Sequence, residues 1–380
     1  MKTYLFIIYN LGGGGAEKVF AKLVAHVQAN PQRKIHVLTF QDQGVYKEQI
    51  IALSNVTYHT LSIDQVRVNF LIQAWKVRKL IRQIKPEFIL SFLYYPNIIT
   101  YLALLGQKIK HVPAERSNHR KYFGHGLKWR IWGLLLKKSY LNAWKILSNS
   151  LDQKKHIVED FGVDSDKISV VHNGIDLDDL DNKSKDSVDW QQYEGKKVVL
   201  AVGRFTKAKA YPVLLESFRI LINRMQDDSV VLLILGEGEL EGVVRNKIQE
   251  LKLESHVVLN GFVGNPAPYL KHADVYVLSS QFEGFPNALL EAYWLNGHVV
   301  STDCETGPGE IITNEEDGLL VPVNDSKRLA EALYIMLTDH SLRERVRLES
   351  HNRAKRFSVE NMLARYDQIL FEDALEQTKK

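Results

Sequence analysis

Short apolar runs rich in β-branched residues alternate along the chain with longer segments of helical period. Strands that are apolar throughout and are separated by helices are typical of parallel sheets covered by helices on both faces. The first half of the chain predicts strands at Thr3–Tyr9, Ile35–Phe40, Val56–Thr60, Phe88–Leu93, His111–Ala114 and Lys145–Ser148, and helices such as Ala16–Val27, Asn69–Ile84 and Leu127–Lys138.

The alternation breaks off after Ile168–His172, in a polar stretch that runs to about Tyr193, and then starts again. Such a change of composition is typical of a domain boundary. We therefore predict an α/β fold of two Rossmann-like domains, 1–180 and 181–357, whose parallel sheets face an interdomain cleft, with a C-terminal helix, 358–380, packing back on the first domain. The second half predicts strands at Val198–Val202, Val230–Leu235, Val257–Leu259, Val275–Leu278 and Val299–Ser301, and helices at Tyr211–Arg224 and Glu239–Leu251.

Residues 88–106 contain no charge and come close to the roughly 20 residues that a helix needs to cross a bilayer. Near their middle, Tyr94-Tyr95-Pro96-Asn97 is a combination typical of a turn. We therefore expect a buried strand, a loop and a helix (Ile98–Leu105) here rather than a transmembrane helix. The N-terminus does not read as a signal peptide, and the single cysteine, Cys304, excludes an intramolecular disulfide and fits a reducing, cytoplasmic location.

The net charge of +4 is distributed unevenly, with a balance of +16 in residues 1–150 and −12 in the remainder. A basic half indicates an anionic partner, such as nucleic acid, a phospholipid surface or a diphosphate-bearing acceptor. No nucleic-acid-binding motif accompanies the basic residues, so we expect no nucleic-acid partner. Within 119–145, Lys and Arg alternate with Trp, Leu and Phe, which is typical of a helix lying on an anionic membrane; a core-facing helix with a solvated charged side is the alternative.

The most specific chemistry follows the predicted strand Val275–Leu278. Pro286 stands where a helix would begin, a position that proline favours. The first N–H groups of that helix, at Asn287, Ala288 and Leu289, would face an anion at the carboxyl end of a parallel strand. Glu283 before the helix and Glu291 inside it could each accept hydrogen bonds from the hydroxyls of a sugar. A diphosphate flanked by two polyols is a nucleotide sugar.

Two further loops at strand ends offer groups to the same ligand. Arg204 and Lys209 follow Val198–Val202 and could stabilise the charge that grows on a departing diphosphate, although a solvated basic loop is the alternative. The glycine run 12–15 follows the first strand and would let the backbone approach an anion at a helix N-terminus. Its spacing is not that of a P-loop, and a turn that serves only helix packing remains the alternative.

In its motifs and their order, the chain resembles glycosyltransferase family four over nearly its whole length. The resemblance implies a retaining enzyme of the GT-B architecture that uses a nucleotide sugar, with UDP the leading carrier and GDP its rival, and no essential metal or other cofactor. The matching motifs are Gly14-Gly15-Ala16-Glu17, Asn173-Gly174-Ile175-Asp176, Gly203-Arg204 with Lys209, Gly236-Glu237-Gly238, Glu283-x7-Glu291, Gly307-Pro308 with Glu310-Ile311-Ile312, and Asp317-Gly318-Leu319-Leu320-Val321-Pro322.

Carried over by motif, the resemblance implies that Arg204 and Lys209 bind the donor diphosphate, that Glu283 contacts the transferred sugar and that Glu291 binds the ribose. The first domain would bind the acceptor and the second the donor. Further donor contacts are implied at Gly14, Gly15, Arg116, Asn173, Phe262, Val263, Phe285, Pro286, Asn287 and Ala288.

The sequence departs from the family pattern at two places. Ala210 stands where the family usually has glycine after the lysine, which puts the loop geometry at Lys209 in doubt. Glu115-Arg116-Ser117-Asn118-His119 replaces the segment in which many relatives place a histidine beside the reacting sugar. Arg116 could bind phosphate there, whereas His119 could take the family's role only if the register slips.

We expect transfer of a hexose or N-acetylhexosamine to a glycan or polyprenyl-diphosphate-linked acceptor in cell-surface polysaccharide biosynthesis, on the cytoplasmic face of the inner membrane. Two alternatives stay open. A UDP-sugar epimerase of the same fold would need no acceptor, but the pairing of Arg204 with Lys209 and the basic first half argue against it. A non-catalytic sugar-nucleotide-binding protein stays possible because of Ala210.

Overall fold

The computed structural model describes residues 1–62, 69–122 and 127–372 and divides the chain into two compact units. The first unit contains Met1–Asn173 and the chain from Leu363 onward, and the second contains Gly174–Met362. Each unit is built on its own parallel sheet, so the predicted two-domain α/β architecture is confirmed.

The first unit has a seven-stranded sheet in the order β3-β2-β1-β4-β5-β6-β7, and all its paired strands are parallel. The six strands predicted for this half are present to within two residues of their predicted ends. The strands are β1 (Lys2–Ile8), β2 (Arg33–Thr39), β3 (Val56–Thr60), β4 (Phe88–Phe92), β5 (Lys110–Glu115), β6 (Ile146–Ser148) and β7 (Ile168–Val170), and the helices are α1 (Gly15–Gln28), α2 (Lys47–Ile51), α3 (Phe70–Ile84), α4 (Tyr94–Leu104), α5 (His119–Tyr122), α6 (Leu127–Leu141) and α7 (Leu151–Phe161).

The charge-free segment 88–106 forms the buried strand β4 and the helix α4, as predicted, but the loop expected at Tyr94–Asn97 is wrong. These residues form the first turn of α4 because Leu93 turns the chain in one step, with a φ of +74°. Pro96 is tolerated there, since N–H groups in the first turn of a helix have no partner within it. Among the described residues, no helix combines the length and the apolar character required to cross a bilayer.

The second unit has a six-stranded parallel sheet in the order β10-β9-β8-β11-β12-β13. Because β8, β11 and β12 are neighbours, the loops at their carboxyl ends lie side by side. The strands are β8 (Lys197–Val202), β9 (Val230–Leu235), β10 (Val257–Leu259), β11 (Val275–Leu278), β12 (Val299–Thr302) and β13 (Leu319–Val321), and the helices are α8 (Leu177–Lys183), α9 (Tyr211–Met225), α10 (Glu241–Glu250), α11 (Ala267–His272), α12 (Asn287–Leu295), α13 (Pro308–Ile311), α14 (Ser326–Thr338), α15 (His340–Ala354) and α16 (Val359–Asp367).

The boundary between the units lies after Asn173, not at the predicted 180/181, and the chain returns to the first unit at Leu363, not at 358. The physical reason is a short backbone ladder. Ile175 N donates to Phe357 O at 2.9 Å, and Val359 N donates to Ile175 O at 2.8 Å. These bonds hold both boundary segments in the second unit.

The returning segment is fixed to the first unit by charge and by aromatic packing. The Asp367 carboxylate lies 2.6 Å from His26 Nε2 and accepts from Arg33 Nη1 at 3.0 Å. The Phe371 ring packs on Tyr4 with centroids 5.3 Å apart, and the Arg33 guanidinium lies over the same phenylalanine ring.

Candidate active site

An ion pair joins the loops that follow β8 and β11 in the second unit. A 3₁₀ turn, Lys207–Lys209, leads from β8 towards α9, and Lys209 Nζ lies 2.7 Å from Glu283 Oε1. The two side chains are 19% and 14% exposed, respectively, so the pair is shielded without being sealed from solvent. The sequence predicts that the reacting groups are contacted by Arg204, Lys209 and Glu283. The structure thus brings the last two of these catalytic candidates together.

The backbone of the two loops explains why these side chains meet. Ser279 Oγ donates to Lys209 O at 2.8 Å, and Gln281 N donates to Ala208 O at 2.8 Å. At the end of β8, a Cβ on Gly203 would lie only 2.8 Å from Lys209 Cε. Glycine is therefore required there for the lysine side chain to pass over the strand end.

Ala210 adopts the left-handed conformation, with φ +48° and ψ +39°, at the junction between the 3₁₀ turn and α9. This conformation is the one that glycine favours and that costs an alanine about 1–2 kcal/mol. The departure from the family pattern therefore leaves the turn in place and adds strain to it.

The sequence predicts that a helix begins at Pro286. In the structure Pro286 is the N-cap residue of α12, and the helix begins one residue later, at Asn287. The loop after β12 packs tightly on this start, since a Cβ on Gly307 would lie 2.6 Å from Pro286 Cδ. Phe285 is buried in the core, and Glu291 lies inside the helix with 7% of its surface exposed. The first turn of α12, which begins at Asn287, supplies positive potential at this sheet edge as the N-terminal end of the helix dipole.

Other predicted donor contacts lie at the carboxyl ends of neighbouring strands of the same unit. Arg204 is exposed two residues beyond β8. Phe262 follows β10 and is 72% exposed, whereas Val263 packs against the core. Gly236 N donates to Gly261 O at 2.7 Å, which fixes the backbone before Phe262.

In the first unit, the predicted glycines lie between β1 and α1. Gly14 is the N-cap residue of α1, which begins at Gly15. A Cβ on Gly14 would meet only the Glu17 carboxylate, the flexible end of a side chain, and the φ of Gly14 is −78°, so the packing does not itself require glycine here. A donor-binding role for Gly14 and Gly15 stays a prediction.

Arg116 and Asn173 are buried together in the first unit, with 6% and 5% of their surface exposed. Arg116 Nη2 donates to Asn173 Oδ1, while Nη1 donates to Tyr366 OH at 3.2 Å and to Val171 O at 3.4 Å. Burial lowers the pKa of Arg116. Its Nε, in contrast, has no hydrogen-bond partner among the described residues. The donor-binding role of Arg116 and Asn173 stays a prediction.

The segment before and after Arg116 is likewise internal. Glu115 is fully buried, and its carboxylate accepts from Tyr140 OH at 2.5 Å and from Ser117 Oγ at 3.0 Å. Burial raises the pKa of Glu115. His119 Nε2 lies 2.8 Å from Asp160 Oδ2, and burial lowers the pKa of this histidine. Sequence reasoning missed this network, whose only signal is a run of polar residues directly after a buried strand.

Two Asp-x-Asp pairs, Asp164-x-Asp166 and Asp176-x-Asp178, resemble metal-binding motifs. The first aspartate of each pair caps a helical turn. Asp164 Oδ1 accepts from Asp166 N at 3.0 Å, and Asp176 Oδ1 accepts from Asp179 N at 3.0 Å. Over the described ranges, no group of three or more His, Cys, Asp or Glu side chains is placed to hold a metal ion.

Sequence comparisons extend over the whole chain. The family described as "Glycosyltransferase Family 4" matches residues 13–179, and that described as "Glycosyl transferases group 1" matches residues 182–353. A Campylobacter jejuni enzyme, N-acetylgalactosamine-N,N'-diacetylbacillosaminyl-diphospho-undecaprenol 4-alpha-N-acetylgalactosaminyltransferase, is 30% identical over 366 residues, 94% of this chain and 96% of the enzyme. A second C. jejuni enzyme, a GalNAc-alpha-(1->4)-GalNAc-alpha-(1->3)-diNAcBac-PP-undecaprenol alpha-1,4-N-acetyl-D-galactosaminyltransferase, is 26% identical over 98% of this chain and 99% of its own.

The fold is shared with solved structures of other proteins. HepE of Anabaena, in complex with UDP, superposes with a TM-score of 0.81 at 18% identity, covering 97% of this chain and 99% of HepE. Sucrose-phosphate synthase of Thermosynechococcus elongatus gives a TM-score of 0.81 at 16% identity, covering 99% and 100%. Fold and sequence together define a glycosyltransferase enzyme with the two-domain GT-B fold. The chain belongs to glycosyltransferase family four.

Proposed function

We propose that this enzyme is a retaining glycosyltransferase that transfers a hexose or N-acetylhexosamine from a UDP-sugar to a glycan or polyprenyl-diphosphate-linked acceptor in cell-surface polysaccharide biosynthesis. The observation that carries the proposal is the 2.7 Å contact between Lys209 and Glu283, which sets a cation for a departing diphosphate beside a carboxylate for a sugar. The names of relatives support the acceptor class, since two are diphospho-undecaprenol-dependent transferases and one is a capsular polysaccharide glycosyltransferase of Staphylococcus aureus. The UDP in HepE supports the donor class.

In the proposed reaction, Arg204 and Lys209 bind the diphosphate and stabilise the negative charge that grows on it as the glycosidic bond breaks. Glu283 accepts hydrogen bonds from hydroxyls of the transferred sugar, and Glu291 accepts them from the ribose. The acceptor oxygen bonds to the anomeric carbon on the face that the diphosphate leaves, and a leaving phosphate oxygen takes the acceptor proton. No side chain is needed as a general base.

The donor is tested by thermal unfolding of the full chain with UDP, GDP, UDP-glucose and UDP-N-acetylglucosamine. A ligand present at 100 times its Kd stabilises the native state by about 2.7 kcal/mol, so the correct carrier raises the unfolding temperature clearly. We expect UDP compounds to do so and GDP to have little effect. A shift with GDP alone would replace the proposed nucleotide, and no shift with any compound would contradict donor binding.

A catalytic role is separated from mere donor binding by Glu283→Ala. We expect this variant to keep the UDP-induced thermal shift and to lose sugar transfer to a polyprenyl-diphosphate-linked acceptor. The matched control is Glu305→Ala, which removes an exposed carboxylate from the adjacent loop and leaves transfer intact. Transfer at the parent rate by Glu283→Ala would reject the proposed site.

We propose further that no metal ion is essential, because Arg204 and Lys209 supply the positive charge that a divalent cation supplies to diphosphates elsewhere. Transfer measured in excess EDTA should equal transfer in Mg²⁺ or Mn²⁺. A rate that falls in EDTA and returns with one of these ions would show this part of the proposal to be wrong.

The described part of the segment 119–145 divides between core and surface. Trp132 packs inward on Tyr95, with ring centroids 5.4 Å apart, and Tyr140 is buried, so these two residues are not membrane anchors. Ile131 and Leu134 of α6 are 50% and 54% exposed. Residues 123–126 of the predicted segment lie outside the described residues.

Helix α3 adds to the same surface. Its Phe70 ring lies 5.9 Å from Trp132 of α6, and its Leu71 and Trp75 are 57% and 62% exposed. Neither helix contains an aspartate or glutamate, whereas both carry several Lys and Arg residues. Apolar groups among cations match an anionic lipid surface, so we propose that α3 and α6 rest on the cytoplasmic face of the inner membrane.

Vesicle flotation tests this surface. We expect the protein to float with vesicles containing phosphatidylglycerol at low salt and not with pure phosphatidylcholine. The double variant Trp75→Ser/Leu134→Ser should remain at the bottom of the gradient, whereas the control Leu348→Ser, 64% exposed on α15 of the second unit, should float. Failure of the parent chain to float would contradict the proposal.

A further inference from the structure

Glu283 is held by buried hydroxyl groups to which neither the sequence analysis nor the family comparison assigns a role. Ser280 Oγ donates to Glu283 Oε1 at 2.6 Å. Thr306 Oγ1 lies within hydrogen-bond distance of two backbone oxygens, those of Glu283 and Glu305, which share its single proton. Both Ser280 and Thr306 have no exposed surface. One hydroxyl therefore fixes the carboxylate and another fixes the main chain that carries it.

A third hydroxyl fixes the main chain of Ser280. Thr302, at the end of β12 and 1% exposed, donates through Oγ1 to the backbone oxygen of Ser280 at 2.6 Å. We name Ser280, Thr302 and Thr306 the hydroxyl bracket. The bracket connects the loop that carries Glu283 to strand β12 and to the loop that follows β12.

The backbone of Thr306 indicates that the bracket is maintained against strain. This residue has a φ of +68°, a left-handed conformation that is a genuine outlier for a β-branched residue. Such strained conformations cluster at ligand-binding and active sites. Here the strained residue is the one whose hydroxyl reaches Glu283.

Among the described residues, the two hydrogen bonds that the Glu283 side chain accepts fall on a single oxygen. Lys209 Nζ and Ser280 Oγ both donate to Oε1, which turns Oε2 towards any further donor. A glutamate side chain is long and flexible, so two bonds on one oxygen decide where the other oxygen lies. A displacement of about 1 Å at a reacting centre can cost 100-fold in rate.

We propose that Ser280 is a positioning residue of the transferase, which orients the Glu283 carboxylate so that Oε2 receives a hydroxyl or amide of the donor sugar, while Thr302 and Thr306 fix the main chain beneath it. This inference rests on the proposed function of Glu283. It predicts that sugar transfer requires a buried hydroxyl at position 280, whereas binding of the donor does not.

The test compares Ser280→Ala, Ser280→Cys and the parent chain in steady-state transfer and in UDP-induced thermal shift. We expect Ser280→Ala to lower kcat about tenfold or more, with the KM for the donor and the UDP-induced shift unchanged, because positioning acts on the transition state. Ser280→Cys keeps the size and a weak donor, so its kcat should lie between the two. The matched control is Ser217→Ala in α9, which deletes another fully buried hydroxyl and should keep the parent kcat.

A double-mutant cycle distinguishes positioning from a general loss of packing. Adding Ser280→Ala to Glu283→Gln should cause no further loss of kcat, since the serine acts through the carboxylate. Thr306→Gly gives an independent arm: it removes the hydroxyl and the backbone strain together, so kcat should fall while the unfolding temperature does not.

The outcomes separate the two claims. If Glu283→Gln transfers sugar at the parent rate, the proposed function itself fails. If Glu283→Gln is slowed to a kcat that is still measurable and Ser280→Ala keeps the parent kcat, or the two losses simply add, only the positioning role is overturned.

Discussion

The carboxyl ends of the strands carry charged residues in both units, but the two units use them in opposite ways. In the second unit, Lys209 and Glu283 reach each other from separate loops and remain 19% and 14% exposed. In the first unit, Glu115 and Arg116 are 0% and 6% exposed and bond to groups of their own unit. Two sheets of the same type therefore offer one edge that a ligand can engage and one that holds the fold together.

We infer that exposure, rather than charge, marks the edge at which a ligand can bind. A partly exposed pair can exchange its partner for a ligand at modest cost, because solvent already screens it. A buried guanidinium loses its partners only by leaving buried groups unpaired, which costs several kcal/mol. Substitutions at the two edges should therefore separate stability from activity.

The largest expected effect is on the first unit's edge. Arg116→Met should lower the free energy of unfolding by about 3–5 kcal/mol, because it leaves the buried oxygens of Val171 and Asn173 without their donor. Urea denaturation measures the change. The control Arg328→Met removes a guanidinium that is 70% exposed and should stay within about 0.5 kcal/mol of the parent.

The opposite result would break the comparison. If Arg116→Met unfolds like the parent chain and instead loses the UDP-induced thermal shift, Arg116 binds phosphate, as the sequence predicts, and burial is no guide to function at this edge.

The next largest effect is expected in the second unit, where a substitution should lower kcat with little change in stability. Lys209→Met should reduce kcat about 10²–10³-fold, or about 2.7–4 kcal/mol, because the departing diphosphate loses a cation. Its free energy of unfolding should change by less than about 1 kcal/mol, since the ion pair is partly exposed. Lys207→Met, in the same 3₁₀ turn but on the exposed side, is the control and should keep the parent kcat. Equal losses of rate and stability would mean that Lys209 is structural.

Most strands could be predicted from the sequence because each is a short apolar run bounded by polar residues. The exceptions are β7 and β13. Ile168–Val170 leads into the polar stretch that runs to about Tyr193, and Leu319–Val321 follows Asp317-Gly318, which suggests a turn. The start of α4 was missed for a different reason. Pro96 favours a turn locally, but the chain bends at Leu93 instead, and no propensity foretells a positive φ at leucine.

The candidate site was predictable to the extent that its residues lie in one continuous motif. Pro286, Glu283 and Glu291 fall at fixed spacings around one helix start, so local rules place them. The roles of Ser280 and Thr306 were not predictable, because their bonds to Glu283 depend on how separate loops pack. Arg116 was assigned to phosphate by its charge, and only its depth of burial in the structure shows its internal partners.

The buried carboxyl of the first unit gives a pH-dependent test. Burial raises the pKa of Glu115, so the folded state keeps this proton to a higher pH than the unfolded state does. Between the two pKa values the unfolded state binds fewer protons, and stability therefore falls as pH rises. Glu115→Gln cannot titrate, and its amide can still pair with Ser117 and Tyr140. The variant should gain stability over the parent as pH rises above about 4.3, by at most about 1.4 kcal/mol per pH unit.

Urea denaturation at several pH values between 4.5 and 7.5 measures this difference. The exposed Glu254→Gln, measured in the same way, is the control for the substitution itself. If the difference in free energy of unfolding between Glu115→Gln and the parent stays constant with pH, or falls as pH rises, the first unit's edge tolerates an ionised carboxylate. That edge would then resemble the second unit's edge more than its burial indicates.

The smallest effect concerns the strain beside Lys209. Ala210 has a φ of +48° and is 6% exposed, so replacing it by glycine should remove about 1–2 kcal/mol of left-handed strain at a cost of about 0.5–1 kcal/mol in the entropy of the unfolded chain. We expect Ala210→Gly to raise the free energy of unfolding by up to about 1 kcal/mol. The same substitution at the exposed Ala52, where φ is −71°, should lower it by about 0.5–1 kcal/mol, because glycine relieves no left-handed strain there. Because the turn is already the one that glycine favours, kcat should not change. If Ala210→Gly is more stable but slower, the strain helps to hold Lys209 against Glu283, and the exposed edge would then depend on backbone rigidity as much as the buried one does.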